Sequence, residues 1–558
     1  MPVRKLIEER LVATLHADGR VPLSPTTEWN RGDYATGIAL ALAKSAGMPP
    51  VEYAKQIVEK LGTIPGVAKI EVAPPGFINF TLADDVLAQT IRDAVSESWG
   101  RGDSMNQRML FEYTDPNPFK EFHIGHLMSN SIGEAIVRLS QFAGADVKRA
   151  NYQGDVGLHV AKSIWGKMQQ PELEWGQAYA FGSKNYEENK AAIDDINKKV
   201  YTREDAAINN FYKDGLISSQ AQFEKIYERL GMQKIGTHTG SEDFFDFYFY
   251  ESMCWWIGKV LVEENMGTVF TQSDGAIVFK GEEVDPKLHT RVFITSQGLP
   301  TYEAKDLGLF KSKSDIFGWS PDVSVTITAS EQKDYFRVVR AAALRIKEVS
   351  EIAEKTKHIT HGMMRLPTGK MSSRTGDVIT GEGLLNELTE AAKSRASESR
   401  ADDKEQLARD VAVAAIKFQI LKQASGKDII FDRERALSLE GDSGPYLQYA
   451  HARAHQIVAR ARSEGIQPQV NESVASSVVV RLVHRFPEVV EQAASLLEPH
   501  IVTTYLTELA STYNSWYAQE QILDGTPAAA HKVAVVDAVR NTLKNGLWIL
   551  GIPAPEKM

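Results

Sequence analysis

The sequence lacks several features that would assign it to particular classes of protein. Its 558 residues contain one cysteine, Cys254, so a disulfide framework and a cysteine-based zinc site are both excluded. No uncharged apolar run reaches the ~18 residues that a membrane-spanning helix needs. The N-terminal stretch has an amphipathic pattern without the apolar core of a secretory signal peptide. We therefore expect a cytoplasmic protein, with Cys254 buried in its core and with no membrane partner.

A basic excess is also missing, because 63 Lys and Arg residues stand against 73 Asp and Glu residues and give a net charge of −10. Proteins that coat nucleic acids without specificity depend on excess positive charge, so this class is disfavoured. A specific RNA site remains compatible with the composition, since it needs only a local basic and aromatic surface. The length predicts about three to four globular domains.

The most informative segment that is present is the tetrad His123-Ile124-Gly125-His126. The apolar run Met109–Phe111 precedes it, and apolar residues at helical spacing follow it as far as Phe142. Strand, tight turn and helix start in this order direct backbone N–H groups and a positive dipole end toward a phosphate. Gly125 allows close approach to the backbone, and two imidazoles can donate hydrogen bonds to phosphate oxygens. Alone, so short a motif could arise by chance.

A second motif, at residues 368–376, makes a chance origin less plausible. The run Thr-Gly-Lys-Met-Ser-Ser-Arg-Thr-Gly is a glycine-bounded loop that carries Lys370, several hydroxyl groups and an arginine. Such a loop can wrap a triphosphate with mobile cationic groups. It is not a Walker loop, because Met371 follows the lysine where Ser or Thr is required.

The patterns along the chain predict three regions. Residues 1–105 mix helix and strand signals, with a helix at 51–61 and strands at 67–73 and 77–82. Residues 106–385 alternate strand and helix as in a parallel, doubly wound sheet, interrupted by a mostly helical insertion near 163–290. Residues 386–558 have an almost entirely helical pattern, and residues 99–104 are a plausible linker before the central region.

Further segments, in the same order along the chain, resemble the arginyl-tRNA synthetases, a family of class I aminoacyl-tRNA synthetases. In the N-terminal region these are residues 30–34 and 75–80, and in the central region residues 151–157 and 301–306. The C-terminal resemblance is carried by residues 440–453. The resemblance implies a fold with an α/β Rossmann-type catalytic domain, an α+β N-terminal domain that contacts tRNA, and an all-α anticodon-binding domain.

The same resemblance implies a reaction and its partners. The carboxylate of L-arginine would attack the α-phosphate of ATP, and the arginyl group would then pass to the terminal adenosine of the tRNA for arginine. Activation would depend on bound tRNA, as is usual in this family, and the protein would be a monomer. Mg²⁺ is expected to accompany ATP, and no structural metal bound by the protein is expected.

Recognition of arginine requires carboxylates and amide oxygens arranged around a planar fork of five N–H donors. The resemblance assigns this role to residues in three segments, namely Glu112, Asn117, Tyr302, Asp306 and Gln332. At the position of Asp115 relatives often carry a small hydroxyl residue, so Asp115 is expected to add negative charge near the ammonium group of the substrate. From the residues alone, Asp306 could equally cap a helix or form a surface ion pair.

The resemblance also distributes the phosphate chemistry. ATP binding is expected from both motifs, at His123, Gly125, His126, Lys370, Met371, Ser372 and Ser373. Class I enzymes usually have a second lysine where this chain has Ser373, and a lysine three residues before the tetrad is thought to compensate for its loss. Lys120 stands at that position. The catalytic set is then Lys120, His123, His126 and Lys370, with Lys120 on the α-phosphate and Lys370 on the leaving pyrophosphate.

Contacts with tRNA are expected from aromatic and basic residues of the C-terminal region, namely Tyr446, Tyr449, Arg453, Tyr513, Trp516 and Tyr517. Aromatic rings stack on unpaired bases, although aromatics at helical spacing are also typical of a helix core. His451 and His455 are spaced as a metal pair but lack a third ligand.

Two other functions remain open from the residues alone. A different class I synthetase or a small-molecule adenylyltransferase would share the tetrad, but it would not need the acidic and amide cluster around Glu112 and Asp306. A non-catalytic RNA-binding paralogue would be expected to have lost one of Lys120, His123, His126 or Lys370, and the sequence retains all four.

Overall fold

The computed structural model describes residues 3–17, 19–26, 28–236, 242–316, 318–365, 367, 380–396, 399, 401–471 and 477–558. The chain forms two compact units. The first comprises residues 1–100, 450–488 and 507–545, and the second comprises residues 101–449, 489–506 and 546–558. No helix within the described ranges combines the length and the apolar character needed to cross a membrane. Cys254 is fully buried, as predicted.

The N-terminal part of the first unit is an antiparallel sheet with helices. Its helices are Val3–Leu15, Ile38–Ala46, Pro50–Leu61 and Asp84–Ala94. Its strands pair in the order Ser24–Pro25, Tyr34–Thr36, Phe77–Leu82, Val67–Ala73. The predicted helix and both predicted strands are confirmed, because each strand runs between clear turn signals. At Gly76, which turns the chain between them, a Cβ would lie 2.8 Å from the Cβ of Pro50.

Buried charges join this sheet to residues 478–488, the part of the helix Val478–Leu496 that belongs to the first unit. The carboxylate of Asp33 accepts a hydrogen bond from the backbone N–H of Leu82 at 2.7 Å and pairs with Arg481. Glu488 accepts from the hydroxyl of Tyr34 at 2.5 Å. One compact unit therefore combines N-terminal and C-terminal segments, because their polar groups satisfy one another away from solvent.

The second unit is built on a five-stranded sheet in which every pairing is parallel. In chain order its strands are β1 (Arg108–Glu112), β2 (Asp146–Gln153), β3 (Phe247–Tyr250), β4 (Val323–Ala329) and β5 (Thr356–His361). Their order across the sheet is β5-β4-β1-β2-β3. This is the predicted doubly wound sheet, whose strands all direct their carboxyl ends to one edge.

Four helices of this unit carry or border the functional site. They are α1 (Ile124–Phe142), α2 (Glu251–Glu264), α3 (Tyr302–Ser314) and α4 (Lys333–Ala343). Helix α1 connects β1 to β2 and is held by a buried carboxylate, Glu134, which accepts from Arg138 and from the hydroxyl of Tyr113, each at 2.8 Å. Burial alone would raise the pKa of Glu134, but the charges of Arg149 and Arg138 outweigh it and lower the pKa to about 2.

The insertion predicted near 163–290 differs from a single helical block. Its helical part comprises Leu158–Gln169, Trp175–Lys184, Lys190–Thr202 and Ala206–Arg229. Strand β3 falls inside the predicted insertion yet belongs to the central sheet. Two further strands, Ala276–Lys280 and Thr290–Ile294, lie with Thr271–Ser273 in a separate antiparallel sheet.

The remaining elements are almost all helical, as the spacing of apolar residues predicts. The helices are Ser350–Lys355, Gly381–Ala396, Lys404–Leu421, Arg433–Ala436, Gly444–Ser463, Val478–Leu496, His500–Gln519 and Ala529–Ile549. Short strand pairs join Met364–Arg365 to Ile429–Ile430 and Ile235–Gly236 to Glu242–Asp243. Three 3₁₀ turns occur at Trp29–Arg31, Gly281–Glu283 and Ser330–Gln332.

Candidate active site

A cavity of about 470 Å³ opens at the carboxyl ends of the parallel strands, beside the first turn of α1. Its lining includes every residue predicted to bind arginine, and every residue predicted to act on ATP that lies within the described ranges. They are Glu112, Asp115, Asn117, Lys120, His123, Gly125, His126, Tyr302, Asp306 and Gln332. These ten residues come from three separate segments of the chain, which meet here because parallel strands bring their ends to the same edge of the sheet.

The two histidines of the tetrad cap helix α1 and stack on each other. Nδ1 of His123 accepts from the backbone N–H of Gly125 at 3.1 Å, and Nδ1 of His126 accepts from the backbone N–H of His123 at 3.3 Å. The ring centroids are 3.5 Å apart. Because both Nδ1 atoms act as acceptors, the proton of each neutral ring is on Nε2. Each ring therefore retains an Nε2–H donor for a ligand in the cavity.

The environment keeps both rings neutral. Burial lowers the pKa of His123, and the positive charge of Lys120 adds to the effect. Burial lowers the pKa of His126 further, together with the charges of His123 and Lys120. Gly125 is required for this cap, since a Cβ there would lie 2.9 Å from Cε1 of His123. The glycine thus makes room for a histidine ring of the protein itself.

The loop between β1 and α1 holds three non-glycine residues in the left-handed region, at φ values of +75° for Thr114, +44° for Asp115 and +69° for Phe119. Each such residue costs of order 1–3 kcal/mol and persists only where its surroundings enforce it. The backbone N–H of Thr114 donates to Ser129, and that of Phe119 donates to Ser219, each at 2.9 Å. The strain positions Asp115 and Asn117 in the cavity. Lys120 follows in the same loop, and its Nζ lies 5.1 Å from the ring centroid of Tyr179.

Two carboxylates of the cavity have no basic side-chain partner among the described residues. Asp115 accepts from the backbone N–H of Tyr152, and Asp306 accepts from the hydroxyl of Tyr335, each at 2.7 Å. Burial raises the pKa of Asp115 well above its usual value, and the charge of Glu112 raises it further. Burial likewise raises the pKa of Asp306, to about 7. Both groups would become more acidic beside a cationic ligand.

Two further carboxylates are paired with buried lysines. Glu112 lies 2.6 Å from Nζ of Lys313, and Glu251 lies 2.6 Å from Nζ of Lys305. All four of these residues are buried. Sequence reasoning missed Lys305, Lys313 and Glu251, because charged residues within helical patterns are usually solvated. The weak signal was that Glu251 directly follows four consecutive aromatic residues.

Asn117 packs against the backbone of Gly154, within the sequence segment at 151–157. A Cβ on Gly154 would lie 2.3 Å from Oδ1 of Asn117 and 3.1 Å from Oε1 of Glu251. Tyr302 begins helix α3, as predicted, and remains 62% exposed, with its ring 4.9 Å from Nζ of Lys305. It therefore lines the open side of the cavity, one helical turn before Asp306.

The second motif lies outside the described residues, and with it Lys370, Met371, Ser372 and Ser373. The chain on either side of it is described. His361, at the end of β5, lines the cavity. Thr380 forms a bridge with His123, and the N–H of Gly381 donates to the carbonyl of Phe122 at 2.8 Å. Both sides of the second motif therefore adjoin the site.

The residues predicted to contact tRNA have different environments. Tyr446 and Tyr449 are partly exposed on the helix Gly444–Ser463. Arg453 donates to Oδ1 of Asn514 at 2.8 Å, and its guanidinium lies 5.2 Å from the ring centroid of Tyr517. Trp516 is partly exposed. Tyr513 has no exposed surface, so its ring is a core residue in this conformation and cannot stack on a base.

Comparisons with known proteins cover the whole chain. The family model "tRNA synthetases class I (R), catalytic domain" matches residues 94–433. Two others, "Arginyl tRNA synthetase N terminal domain" and "DALR anticodon binding domain", match residues 2–82 and 447–558. The arginine–tRNA ligase of Thermus thermophilus is 28% identical, and the match covers 100% of each chain. The arginine–tRNA ligase of Pyrococcus furiosus is 26% identical, and the match covers 94% of each chain.

Solved structures agree with these sequence matches. The Thermus thermophilus arginyl-tRNA synthetase superposes with a TM-score of 0.82 at 26% identity, covering 100% of both chains. The Plasmodium falciparum arginyl-tRNA synthetase has the same fold, with a TM-score of 0.76 at 19% identity and 99% of both chains covered. The chain therefore belongs to the arginyl-tRNA synthetase family of class I aminoacyl-tRNA synthetases.

Proposed function

We propose that the cavity at the start of α1 is where this arginine–tRNA ligase activates L-arginine with ATP and transfers it to tRNA. The observation that carries this assignment is the meeting of two neutral, stacked histidines with four carboxylates in one cavity. The histidines suit phosphate groups, and the carboxylates suit a substrate with two cationic ends. Either half alone would be compatible with many other enzymes.

In the activation step an oxygen of the arginine carboxylate attacks the α-phosphorus of ATP. The bond from that phosphorus to the bridging oxygen breaks, and pyrophosphate leaves. Nε2–H of His123 and of His126 donate to phosphate oxygens, while Lys120 neutralises the charge that develops on the α-phosphate. Gly125 maintains the cap that orients both rings.

In the transfer step a ribose hydroxyl of the terminal adenosine attacks the carbonyl carbon of arginyl-adenylate. The proton of the hydroxyl passes to a phosphate oxygen of the leaving group, the bond between the acyl carbon and the phosphate oxygen breaks, and AMP leaves with both electrons of that bond. Lys370, Met371, Ser372 and Ser373 complete the nucleotide site, with Lys370 on the pyrophosphate group during activation. The positions of His361 and Thr380 on either side of this motif support that assignment.

Mg²⁺ would accompany ATP and neutralise phosphate charge. The part of the chain that the structure describes contains no group of three or more His, Cys, Asp or Glu residues suited to hold a metal ion. Mg²⁺ keeps several waters and commonly takes phosphate oxygens as ligands, so the donor set fits a metal carried mainly by the nucleotide.

Arginine is held by the acidic part of the cavity. Asp306 and Tyr302 take the guanidinium, and Glu112 contributes to the same end, while Asn117, Asp115 and Gln332 contact the amino-acid end. A site built from hydrogen-bonding groups rejects ligands that leave those groups unpaired. Lysine offers a compact ammonium in place of a planar fork, so it would leave several acceptors without donors.

Residues 1–105 and 386–558 serve tRNA, and residues 106–385 carry the catalysis. The family models that match residues 2–82 and 447–558 support this division. Tyr446, Tyr449, Arg453, Trp516 and Tyr517 are each candidates for contact with tRNA, and the buried Tyr513 is left out. The protein acts as a cytoplasmic monomer, which light scattering and cell fractionation would test.

The test of the function is ATP–pyrophosphate exchange with each of the twenty amino acids, with and without total tRNA. Exchange is expected with arginine alone among them, and more strongly when tRNA is present. Exchange driven by lysine or glutamate would contradict the specificity for arginine. An exchange rate with arginine that is the same with and without tRNA would contradict the dependence of activation on tRNA. A His126→Asn variant provides the control that the signal comes from this cavity.

A further inference from the structure

The charges of the arginine cavity are not equivalent. Four carboxylates line it, namely Glu112, Asp115, Glu251 and Asp306. Two of them have a lysine within 2.6 Å, since Lys313 pairs with Glu112 and Lys305 pairs with Glu251. The other two accept only from neutral donors among the described residues, Tyr152 N–H and the hydroxyl of Tyr335.

Lys313 is the more deeply buried of the two lysines, with 2% of its surface exposed. Its Nζ donates to Oγ1 of Thr326 at 3.1 Å in addition to its pair with Oε2 of Glu112. A buried ammonium group keeps its charge only when such partners surround it. Lys313 therefore holds one carboxylate oxygen of Glu112, Oε2, in place.

The remaining negative charges match the substrate in number. With both lysine pairs neutral overall, Asp115 and Asp306 are the two carboxylates of the cavity that form no direct ion pair with a described basic side chain, although the charge of Lys313 acts on both from a distance. Free arginine carries two positive groups, an ammonium and a guanidinium, besides the carboxylate that reacts with ATP. A cavity without Lys313 would hold one more uncompensated carboxylate than the substrate has cations, and one of the acids would take up a proton instead.

From this arrangement we propose that Lys313 is a positioning residue that acts as the fixed counter-ion of the arginine site. It holds Glu112 in place and leaves Asp115 and Asp306 to meet the ammonium and guanidinium groups of arginine. The inference rests on the proposed function of the cavity, because it presupposes that arginine binds there.

Other titratable groups near these carboxylates do not obscure a pH test. Burial raises the pKa values of Tyr152 and Tyr335 well above neutrality and lowers that of His358, on β5, to about 4. Burial likewise lowers the pKa values of His123 and His126. Lys305 keeps its charge, with a raised pKa, because Glu251 outweighs its desolvation. Asp115, Asp306 and the paired Glu251 are then the carboxyl groups whose pKa values burial raises, and that of Asp306 is raised to about 7.

The first experiment compares Lys313→Met with Lys313→Arg in the full-length enzyme, using steady-state aminoacylation of tRNA between pH 6 and 9. For Lys313→Met we expect the KM for arginine to rise by about tenfold or more, with the KM for ATP within about twofold. The acidic limb of kcat/KM for arginine should move up by about one pH unit. Lys313→Arg should restore most of the affinity and the pH profile.

Lys311→Met is the matched control, because Lys311 is on the same helix but pairs with Asp315 outside the cavity. It should leave both KM values and the pH profile unchanged. A Lys313→Met enzyme with a KM for arginine within twofold of wild type, or with an unmoved acidic limb, would overturn the proposal. A wild type that fails to charge tRNA with arginine would instead reject the function of the cavity.

A second measurement does not depend on any variant folding correctly. Calorimetry of arginine binding to wild-type enzyme at pH 7, in two buffers that differ in ionisation enthalpy, gives the number of protons exchanged. Net release of protons is expected, because the ligand's cations lower the pKa values of Asp115 and Asp306. Binding without proton release would show that these acids do not meet the cations, and the proposal would fail.

Discussion

Nδ1 of His126 accepts a hydrogen bond from the backbone N–H of His123, at 3.3 Å, so one histidine of the tetrad orients the other. The side chain of His123 in turn accepts from Gly125 at the start of α1. Both imidazoles thus serve the helix terminus through Nδ1 and the cavity through Nε2. The capping of the helix and the hydrogen bond to a ligand therefore depend on different atoms of the same ring, and variants can test the two roles separately.

His123→Asn and His123→Ala make that separation. Asn is a good N-cap residue and Ala is not, so His123→Ala should be less stable than His123→Asn by about 1 kcal/mol. Both lose the Nε2–H donor and should reduce the rate of adenylate formation by about 10²–10³, with the KM for arginine little changed. Thermal unfolding and single-turnover kinetics provide the two readouts. Equal stability of the variants would reject the capping role, and a wild-type rate in His123→Asn would reject the donor role.

Asp306 predicts a pH dependence for arginine binding. Its pKa is raised to about 7, so below that pH the carboxyl group becomes neutral and loses its attraction for a cation. We expect kcat/KM for arginine to fall as the pH drops from 8 to 6. In Asp306→Asn the value should be lower by about 10² or more, and it should fall less steeply than in wild type as the pH drops across this interval. Initial rates of aminoacylation at subsaturating arginine measure both effects. A wild-type profile that is flat between pH 6 and 8 would contradict the prediction.

The raised pKa of Asp306 also predicts the direction in which this carboxyl group affects the stability of the protein. A carboxyl group whose pKa is higher in the folded state than in the unfolded state favours folding at low pH, and this contribution is lost as the pH rises through the folded value. Removing the charge by Asp306→Asn should therefore leave the unfolding midpoint at pH 8 equal to or above that of wild type. A marked loss of stability at pH 8 would indicate that Asp306 is structural.

Gly154→Ala tests how closely the site is packed. The added methyl group would come within 2.3 Å of Oδ1 of Asn117, so this side chain must move. Displacement of a positioning group by about 1 Å can cost on the order of 10²-fold in activity, and we expect a loss of that order in kcat/KM for arginine. Gly236→Ala is the control, since no atom of the described residues lies within 4 Å of a Cβ at that position. Similar kinetics for the two variants would show that Asn117 is not critical.

Much of the fold follows from the sequence, for reasons that are visible in particular elements. The strands Val67–Ala73 and Phe77–Leu82 are bounded by turn residues, and helix α1 follows from apolar residues at helical spacing after the tetrad. Strand β3 could not be predicted, because Phe247–Tyr250 is short and has neither alternation nor a distinctive boundary. Its place in the sheet depends on pairing with β2, which is a tertiary contact.

The residues of the candidate site also include some that the sequence could identify and some that it could not. Glu112, His123 and Asp306 could be identified because motifs mark them and because parallel strands gather loop residues at one edge. Lys313 and Glu251 could not, since a charged residue in a helix normally faces solvent. Only their burial beside an opposite charge reveals them, and burial depends on segments far apart in the sequence. The core position of Tyr513 was hidden for the converse reason, because helical spacing fits both a core residue and a binding surface.

We expect Arg453→Gln to weaken the interaction with tRNA and to leave the interaction with arginine unchanged. The guanidinium of Arg453 is held by Asn514 beside the ring of Tyr517, an arrangement suited to a phosphate or a base edge. We expect the KM for tRNA to rise by about tenfold, with the KM for arginine unchanged, and the salt dependence of tRNA binding to become shallower. Arg460→Gln is the control, because Arg460 is on the same helix and pairs with Glu464. Equal effects of both variants would indicate loss of general positive charge only.

Glu134 offers the strongest test of the scaffold beneath the tetrad. Its carboxylate lies between Arg138 and Arg149 with no exposed surface, so Glu134→Gln removes the carboxylate with which both buried guanidinium groups pair. Breaking a buried pair in this way costs about 3–5 kcal/mol, whereas Glu351→Gln, which removes an exposed partner of Lys355, should change the stability far less. Thermal unfolding of the full-length variants measures the difference.

The pH dependence of the same variant has a defined direction. The pKa of Glu134 is lowered to about 2 in the folded protein, so its contribution is fully present above the ordinary glutamate pKa and is lost as the pH falls toward 2. The stability gap between wild type and Glu134→Gln should therefore be constant from pH 6 to 8 and should shrink below about pH 4. A gap that grows on acidification would mean that the carboxylate is not ionised in the folded state, and that α1 is held by packing alone.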